Sequence, residues 1–472
     1  MASFRKRTDT CFSRRTEQRT FSNARCYFAS ALLLLLIVLT LPTMVQMKYL
    51  GPKLSRLVMD EQTGVVFVGG ENRLYQLTDG LKLLVEVKTG PMDDSDKCFP
   101  PPEACFVNRT ATNNYNKILV VDKDRRNLIA CGSVYQGKCE ARSLMNISDV
   151  LPGKQDDDMI NFAVVANDET SSSEAFIARG LPQLGTVMYV ASTYSGKSPE
   201  SQVYREQVPA IATRSLNRRN RFSLTEGGGS FSESRVSAIF IKSEVAPQYP
   251  IQYVTGFSSG NFSYFLTVQR DTVSRLQHGK LLTKIVQICH DDAFYYSYSD
   301  IPLRCASETP GAGIDEDYNV LQAARVIYPG EQLAENLFAD NNPGDVLVGV
   351  FTRDNSQTGS GRQGTFGAGN KHRRSGPSSR GVDSAVCVFT MAEIRRKFLE
   401  NIKLCHQGNS SVSGGGYLRV GPRGNCNQQL GKHKKETEQD EENKNKMKDN
   451  NERRRRRRRE WRRKMKKEGE RN

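Results

Sequence analysis

Residues 116–144, NKILVVDKDRRNLIACGSVYQGKCEARSL, decide the fold. Residues 118–121 form an apolar run rich in β-branched side chains, 122–126 a charged turn, and 128–131 a second apolar run. Apolar runs separated by turn chemistry are strand signals. Gly132 and Gly137 then bracket a short loop between Cys131 and Cys139, and a third strand follows. A hairpin end brings two Cα atoms within disulfide reach, and this spacing suits such a bridge. Two reduced, buried cysteines are the alternative, and the compartment decides between them.

The same rhythm runs outward in both directions. VVFVGGENRLYQL (65–77) reads as a hairpin with its turn at Gly-Gly-Glu-Asn, and LKLLVEVKTGP supplies the next strand. Further strands are expected at 161–169, 175–180, 185–193, 236–241, 250–269, 281–289, 345–352 and 384–390. Helical periodicity is nearly absent. Groups of about four short strands recur every 45–70 residues or so, which suits a β-propeller better than a sandwich. A propeller closes its blades into a ring and so leaves no long strand edge open. One helix is expected: Thr390-Met-Ala-Glu393 is a capping box, followed by Ile394, Phe398 and Ile402 on one face.

The formal net charge of +16 suggests a nucleic-acid binder until it is located. Residues 1–28 carry seven basic and two acidic side chains, and residues 427–472 carry nineteen and ten, so the body between them is close to neutral. The seven arginines at 453–459 repel one another and favour a solvated tail. Nucleic acid is therefore not the expected partner of the body. A tail that binds polyanions such as heparin or nucleic acid is kept as an alternative function.

Seven basic residues precede the apolar run ALLLLLIVLTL in 29–41. This is the layout of a secretory signal sequence, with an uncleaved signal anchor as the other reading. Both place the body outside the cytosol. Sequons at Asn108, Asn146, Asn261 and Asn409 agree with a glycosylating, oxidising compartment.

LIACGSVYQGKC resembles the first-blade signature of the sema domain, in its plexin form. The later segment from Cys289 to Cys305 (CHDDAFYYSYSDIPLRC), the Cys387 strand, the helix ending at Cys405, and Cys426 resemble the plexin cysteine pattern. The resemblance implies an all-β, sema-type seven-bladed β-propeller over 49–426, truncated before ring closure. Around it lie a leader at 1–48, a Gly/Ser-rich loop insertion at 354–381 and a charged low-complexity tail at 427–472. It implies the disulfides Cys98–Cys105, Cys131–Cys139, Cys305–Cys387 and Cys405–Cys426, with Cys289 left unpaired. It also implies a semaphorin receptor ectodomain acting in axon guidance. Semaphorin would be the protein ligand, with sema–sema homo-association and a co-receptor as further partners. The expected location is the secretory pathway and then the extracellular space or plasma membrane. Membrane attachment would come only through the N-terminal segment or a family part missing from this chain. Within the middle blades, Arg214, Arg218, Arg219 and Arg221 (ATRSLNRRNR) form a basic loop suited to an acidic partner.

No enzyme chemistry is expected. The five histidines are scattered without metal-ligand spacing, and Gly359, Gly361 and Gly364 have no helix behind them to hold a pyrophosphate. His290 beside Asp291 falls within the plexin-like cysteine segment, where the role is structural. No cofactor and no metal are expected.

Overall fold

The computed structural model describes residues 50–51, 53–98, 105–153, 163–197, 208–225, 236–271, 279–306, 317–338, 344–354, 384–406 and 417–420. Every strand pair among them is antiparallel. The first sheet is β1 (Leu54–Met59), β2 (Val66–Gly70), β3 (Arg73–Leu77) and β4 (Leu83–Lys88). A short ribbon of β5 (Met92–Asp94) and β6 (Thr110–Thr112) follows, then a sheet of β7 (Asn116–Asp122), β8 (Asn127–Gly132) and β9 (Cys139–Ser143). Next come β10 (Ser173–Arg179), β11 (Thr186–Ser192), β12 (Ile211–Arg214) and β13 (Ala238–Ile241), and then β14 (Gln252–Ser259), β15 (Phe262–Arg270), β16 (Leu281–Cys289) and β17 (Ser299–Leu303). β18 (Cys305–Ala306) pairs with β19 (Asp317–Tyr318), and β20 (Val320–Ile327), β21 (Val346–Thr352) and β22 (Ser384–Thr390) form a three-stranded sheet. β23 (Leu418–Val420) adds to the edge of β13. Besides a distorted helical turn at Val134–Gly137, the described residues form helices α1 (Glu331–Leu337) and α2 (Met391–His406).

The larger sheets pack face to face in chain order. Phe67 and Leu74 of the first sheet meet Leu119 and Leu128 of the β7–β9 sheet. Ile118 and Ile129, from the same two β7–β9 strands, meet Met188 and Val190 of β11. Tyr189 and Ala191 meet Phe265 and Val286. Leu266 and Ile285 meet Leu321, Leu347 and Phe351. Because side chains alternate along a strand, a strand buried on both faces must be apolar at both parities. FSYFLTVQR and LLTKIVQIC are such runs. The two-residue turn between β14 and β15 needs a positive φ, and Gly260 supplies it at 61°.

The 161–169 strand is corrected. Residues 163–169 are irregular, and 161–162 lie outside the described residues. The apolar side chains 163–166 are buried as a strand's would be, but their amides bond elsewhere: Val164 and Val165 donate to Gly137 O, and Ala166 to Ser173 Oγ. Strands β1, β5, β6, β12, β17–β20 and β23, and helix α1, were not read individually from the sequence. The α2 cap is half of a capping box. Thr390 Oγ1 accepts the Glu393 amide at 3.1 Å, while the Glu393 carboxylate pairs with Arg396. Ile394 and Phe398 are buried, whereas Ile402 is exposed.

A buried polar cluster fixes β23. Lys284 Nζ lies 2.9 Å from Asp300 Oδ1, with both side chains nearly sealed from solvent. Asp300 Oδ2 accepts the hydroxyls of Tyr298 at 3.2 Å and Tyr417 at 2.9 Å. Burial raises the pKa of both tyrosines well above the ordinary range. Asp300→Ala strands the Lys284 charge and should cost about 3–5 kcal/mol. Adding Lys284→Met should restore most of that in a urea titration, because it removes the orphaned ion.

Candidate recognition surface

The turn after β12 divides its arginines. Arg214 ends the strand pointing inward and is 1% exposed; its guanidinium donates to Ala163 O at 2.9 Å and Phe222 O at 3.3 Å. Arg221 is also buried, and its Nη1 donates to the carbonyls of Leu151 and Pro152 at 3.2 and 3.3 Å. Arg218 and Arg219 are exposed. Of the four arginines expected to face a ligand, Arg214 and Arg221 are buried, and only Arg218 and Arg219 reach solvent. Arg214 and Arg221 satisfy main-chain carbonyls, which the irregular 151–153 and 163–166 segments leave without ladder partners.

Two short polar locks hold Arg218 and Arg219 out. The Arg219 amide donates to Asn217 Oδ1 at 3.1 Å, and Ser215 Oγ donates to Asn220 Oδ1 at 3.0 Å. Beside this turn a groove of about 440 Å³ is lined by Arg125, Arg218 and Arg221 together with the apolar Leu151, Pro152 and Leu184. Arg125 comes from the charged turn between β7 and β8. It pairs with Asp122 at 3.2 Å and bonds Thr186 Oγ1 at 3.0 Å. Asp122 thus balances Arg125. Among the described residues no carboxylate pairs with Arg218 or Arg221. Burial, then the nearby Arg218 charge, lowers the Arg221 pKa from its ordinary value. Arg218 thus leaves positive charge exposed beside the apolar side chains of the groove.

The remaining sequence-marked residues that are described do not line this groove. Cys98 bridges Cys105, Cys131 bridges Cys139, and Cys305 bridges Cys387. Cys289 is unbridged and half-buried. The Cys405 side chain and Cys426 fall outside the described residues, as do Asn409, the 1–48 leader, most of the 354–381 insertion and the 427–472 tail. Asn108 and Asn261 are exposed and Asn146 half-exposed. His290 and Asp291 point to different partners. His290 Nε2 lies 3.0 Å from Ser263 Oγ in the core, and Asp291 pairs with Arg179 at 2.5 Å on the surface. Burial, reinforced by the Arg179 charge, lowers the His290 pKa, and the geometry joins the two residues in no acid–base pair.

No protein-family model matches the chain. Plexin-A4 of Danio rerio is 31% identical over 383 residues, covering 76% of this chain and 18% of that protein. Plexin-A4 of Homo sapiens is 31% identical over 373 residues, covering 76% and 17%. The solved full extracellular region of plexin A4 superposes with a TM-score of 0.60 at 29% identity, covering 76% of this chain and 36% of that one. The matched stretch is similar to the sema portion of plexins.

The fold is accordingly all-β and of the sema propeller type. Plexin sema portions are binding modules and not enzymes, which fits the divided roles of His290 and Asp291. The chain spans less than a fifth of the length of the curated relatives it matches, 18% for the Danio rerio protein. Within the sema portion, the groove residues Arg125, Leu151, Pro152 and Leu184 were missed from sequence. They come from separate turns, and only Arg218 and Arg221 marked the place.

Arg214→Ala should lower unfolding free energy by about 2–4 kcal/mol, because two buried carbonyls lose their donor, whereas Arg218→Ala should stay within about 0.5 kcal/mol. Chemical denaturation of both variants checks the division.

Lys117, on β7, gives a pH signature. Its Nζ donates to Asp168 O at 2.9 Å and Glu169 O at 3.0 Å, and burial brings its pKa down to about 8. Between pH 8 and the ordinary lysine value of 10.5, the unfolded chain holds a proton that the folded chain has released. Stability therefore rises with pH across that window. The buried tyrosines act in the opposite sense only above pH 10, where the unfolded hydroxyls ionise first; Tyr189 and Tyr249 are both pushed up to about 12. Melting temperatures from pH 7.5 to 9.5 should show the rise, and Lys117→Met should flatten it.

Proposed function

We propose that this chain supplies the ligand-recognition sema propeller of a plexin-type semaphorin receptor, acting at the cell surface or outside the cell in guidance signalling. The observation that carries the reading is the similarity to plexin-A proteins across 76% of the chain. The groove beside Arg218 adds a place for contact, with the exposed Arg218 charge beside an apolar lining. Recognition on this reading is surface complementarity between two propellers. Arg218 and Arg219 steer an acidic semaphorin surface, and the apolar lining supplies the contact area. Cleavage and turnover play no part.

Immobilised semaphorin ectodomains, titrated with the secreted chain at two salt concentrations, test this. Arg218→Glu with Arg219→Glu should weaken binding by about tenfold or more, chiefly through a slower association rate with a reduced salt dependence. Deleting 431–472 should leave binding intact. If semaphorin binding is absent in the folded wild-type chain, the reading fails. If binding is lost only on tail deletion, the activity belongs to the polyanion-binding tail.

A further inference from the structure

Phe106 is the most exposed large apolar side chain among the described residues, at 103% of its reference area. The segment carrying it is pinned at both ends. Cys105 precedes it and is bridged to Cys98, which is 2% exposed. Thr110 follows it as the first residue of β6, in register with Asp94 of β5. Asp94 is held in turn by the Tyr135 amide at 2.7 Å, and Arg109 pairs with Asp93 at 3.5 Å. A pinned segment cannot easily fold its phenyl ring away, so the ring stays in water unless something covers it.

The sequence around the ring names an occupant. Phe106-Val107-Asn108-Arg109-Thr110 places an aromatic two residues before a sequon asparagine and a threonine two residues after it. Asn108 and Thr110 are exposed along with Phe106. Val107 lies at a bend, and two residues of chain span at most about 7 Å, so a sugar attached at Asn108 would lie within reach of the ring. Pyranose rings carry a face of C–H bonds whose hydrogens are slightly positive, and an aromatic face is negative.

We propose that Asn108 carries an N-linked glycan whose first N-acetylglucosamine packs on the Phe106 ring, making 106–110 a built carbohydrate-covered site. The proposal rests on the reading that the chain enters the secretory pathway. The hydroxyl of Thr110 completes the acceptor motif, and the Cys98–Cys105 bridge holds the ring in place for the sugar.

The test expresses the full chain in mammalian secretory cells. Glycopeptide mass spectrometry reads occupancy at Asn108, Asn146 and Asn261. Melting temperatures are compared for wild type, Phe106→Ala and Phe106→Tyr, each with and without Thr110→Val, which removes the acceptor. We expect Asn108 to be occupied. We expect Phe106→Ala to lower the melting temperature of the glycosylated chain by about 1–2 °C, to have no effect in the Thr110→Val background, and Phe106→Tyr to keep the wild-type value. Equal shifts in both backgrounds overturn the contact. A bare Asn108 beside occupied Asn146 and Asn261 overturns the site and leaves export standing. A chain without glycan at any of the three overturns both.

Discussion

A sheet that is apolar on both faces is stable only between two others, and that constraint organises this protein. β15 and β16 show it most fully. Tyr264, Leu266 and Ile285 turn toward the β20–β22 sheet, while Phe265, Val286 and Ile288 turn toward β10–β13. Burying both parities gives a large transfer free energy per residue, but it leaves no solvent face on which polar side chains can sit. The sheets therefore stack in chain order, each using the next as its cover. At the first and last of them the rule relaxes: Leu57 of β1 and Val386 of β22 remain 70% and 67% exposed.

Polar groups caught between such sheets must find partners there. Lys284, Asp300, Tyr298 and Tyr417 do so by closing one cluster, and Gln136 does so at the disulfide loop. Its side-chain amide donates to Asp96 O and Cys98 O, and its oxygen accepts from Asn167. That loop holds Tyr135 and Gln136 at φ of 54° and 60°, a conformation costing roughly 1–3 kcal/mol each outside such a setting. Gly137 follows at 86°, and a side chain there would strike Val165 O. The loop thus ties the Cys98 region, the β8–β9 hairpin and the irregular 163–167 segment into one junction.

Much of this was legible because strand burial writes itself into apolar runs. The hairpin at 65–77, the three strands of 116–144 and the long β14–β16 meander follow from such runs and their turn residues. The 163–166 segment misled for the same reason: its side chains are buried, but its amides bond to a loop carbonyl and a serine, and side-chain pattern does not encode backbone partners. β12 and β17 were missed because IATR and SDIPL are short and carry polar residues at positions buried by tertiary contact. The basic loop was half legible. Charge alone marks RSLNRRNR, but only the fold shows which guanidiniums face carbonyls and which face water.

That division bears on how a recognition surface can be built on a propeller. Connecting turns are where charge is free to vary, yet these turns also cover the sheet ends, where carbonyls lack ladder partners. Arg214 and Arg221 are spent on those carbonyls. A guanidinium with five donors can bridge two segments that a lysine would serve less well. With the carbonyls satisfied from within, Arg218 and Arg219 are left outside on a turn stiffened by Asn217 and Asn220. A stiff turn loses little entropy on contact, so its charge can act at a fixed position. Burial of two arginines is thus the condition under which the other two can serve as a recognition element.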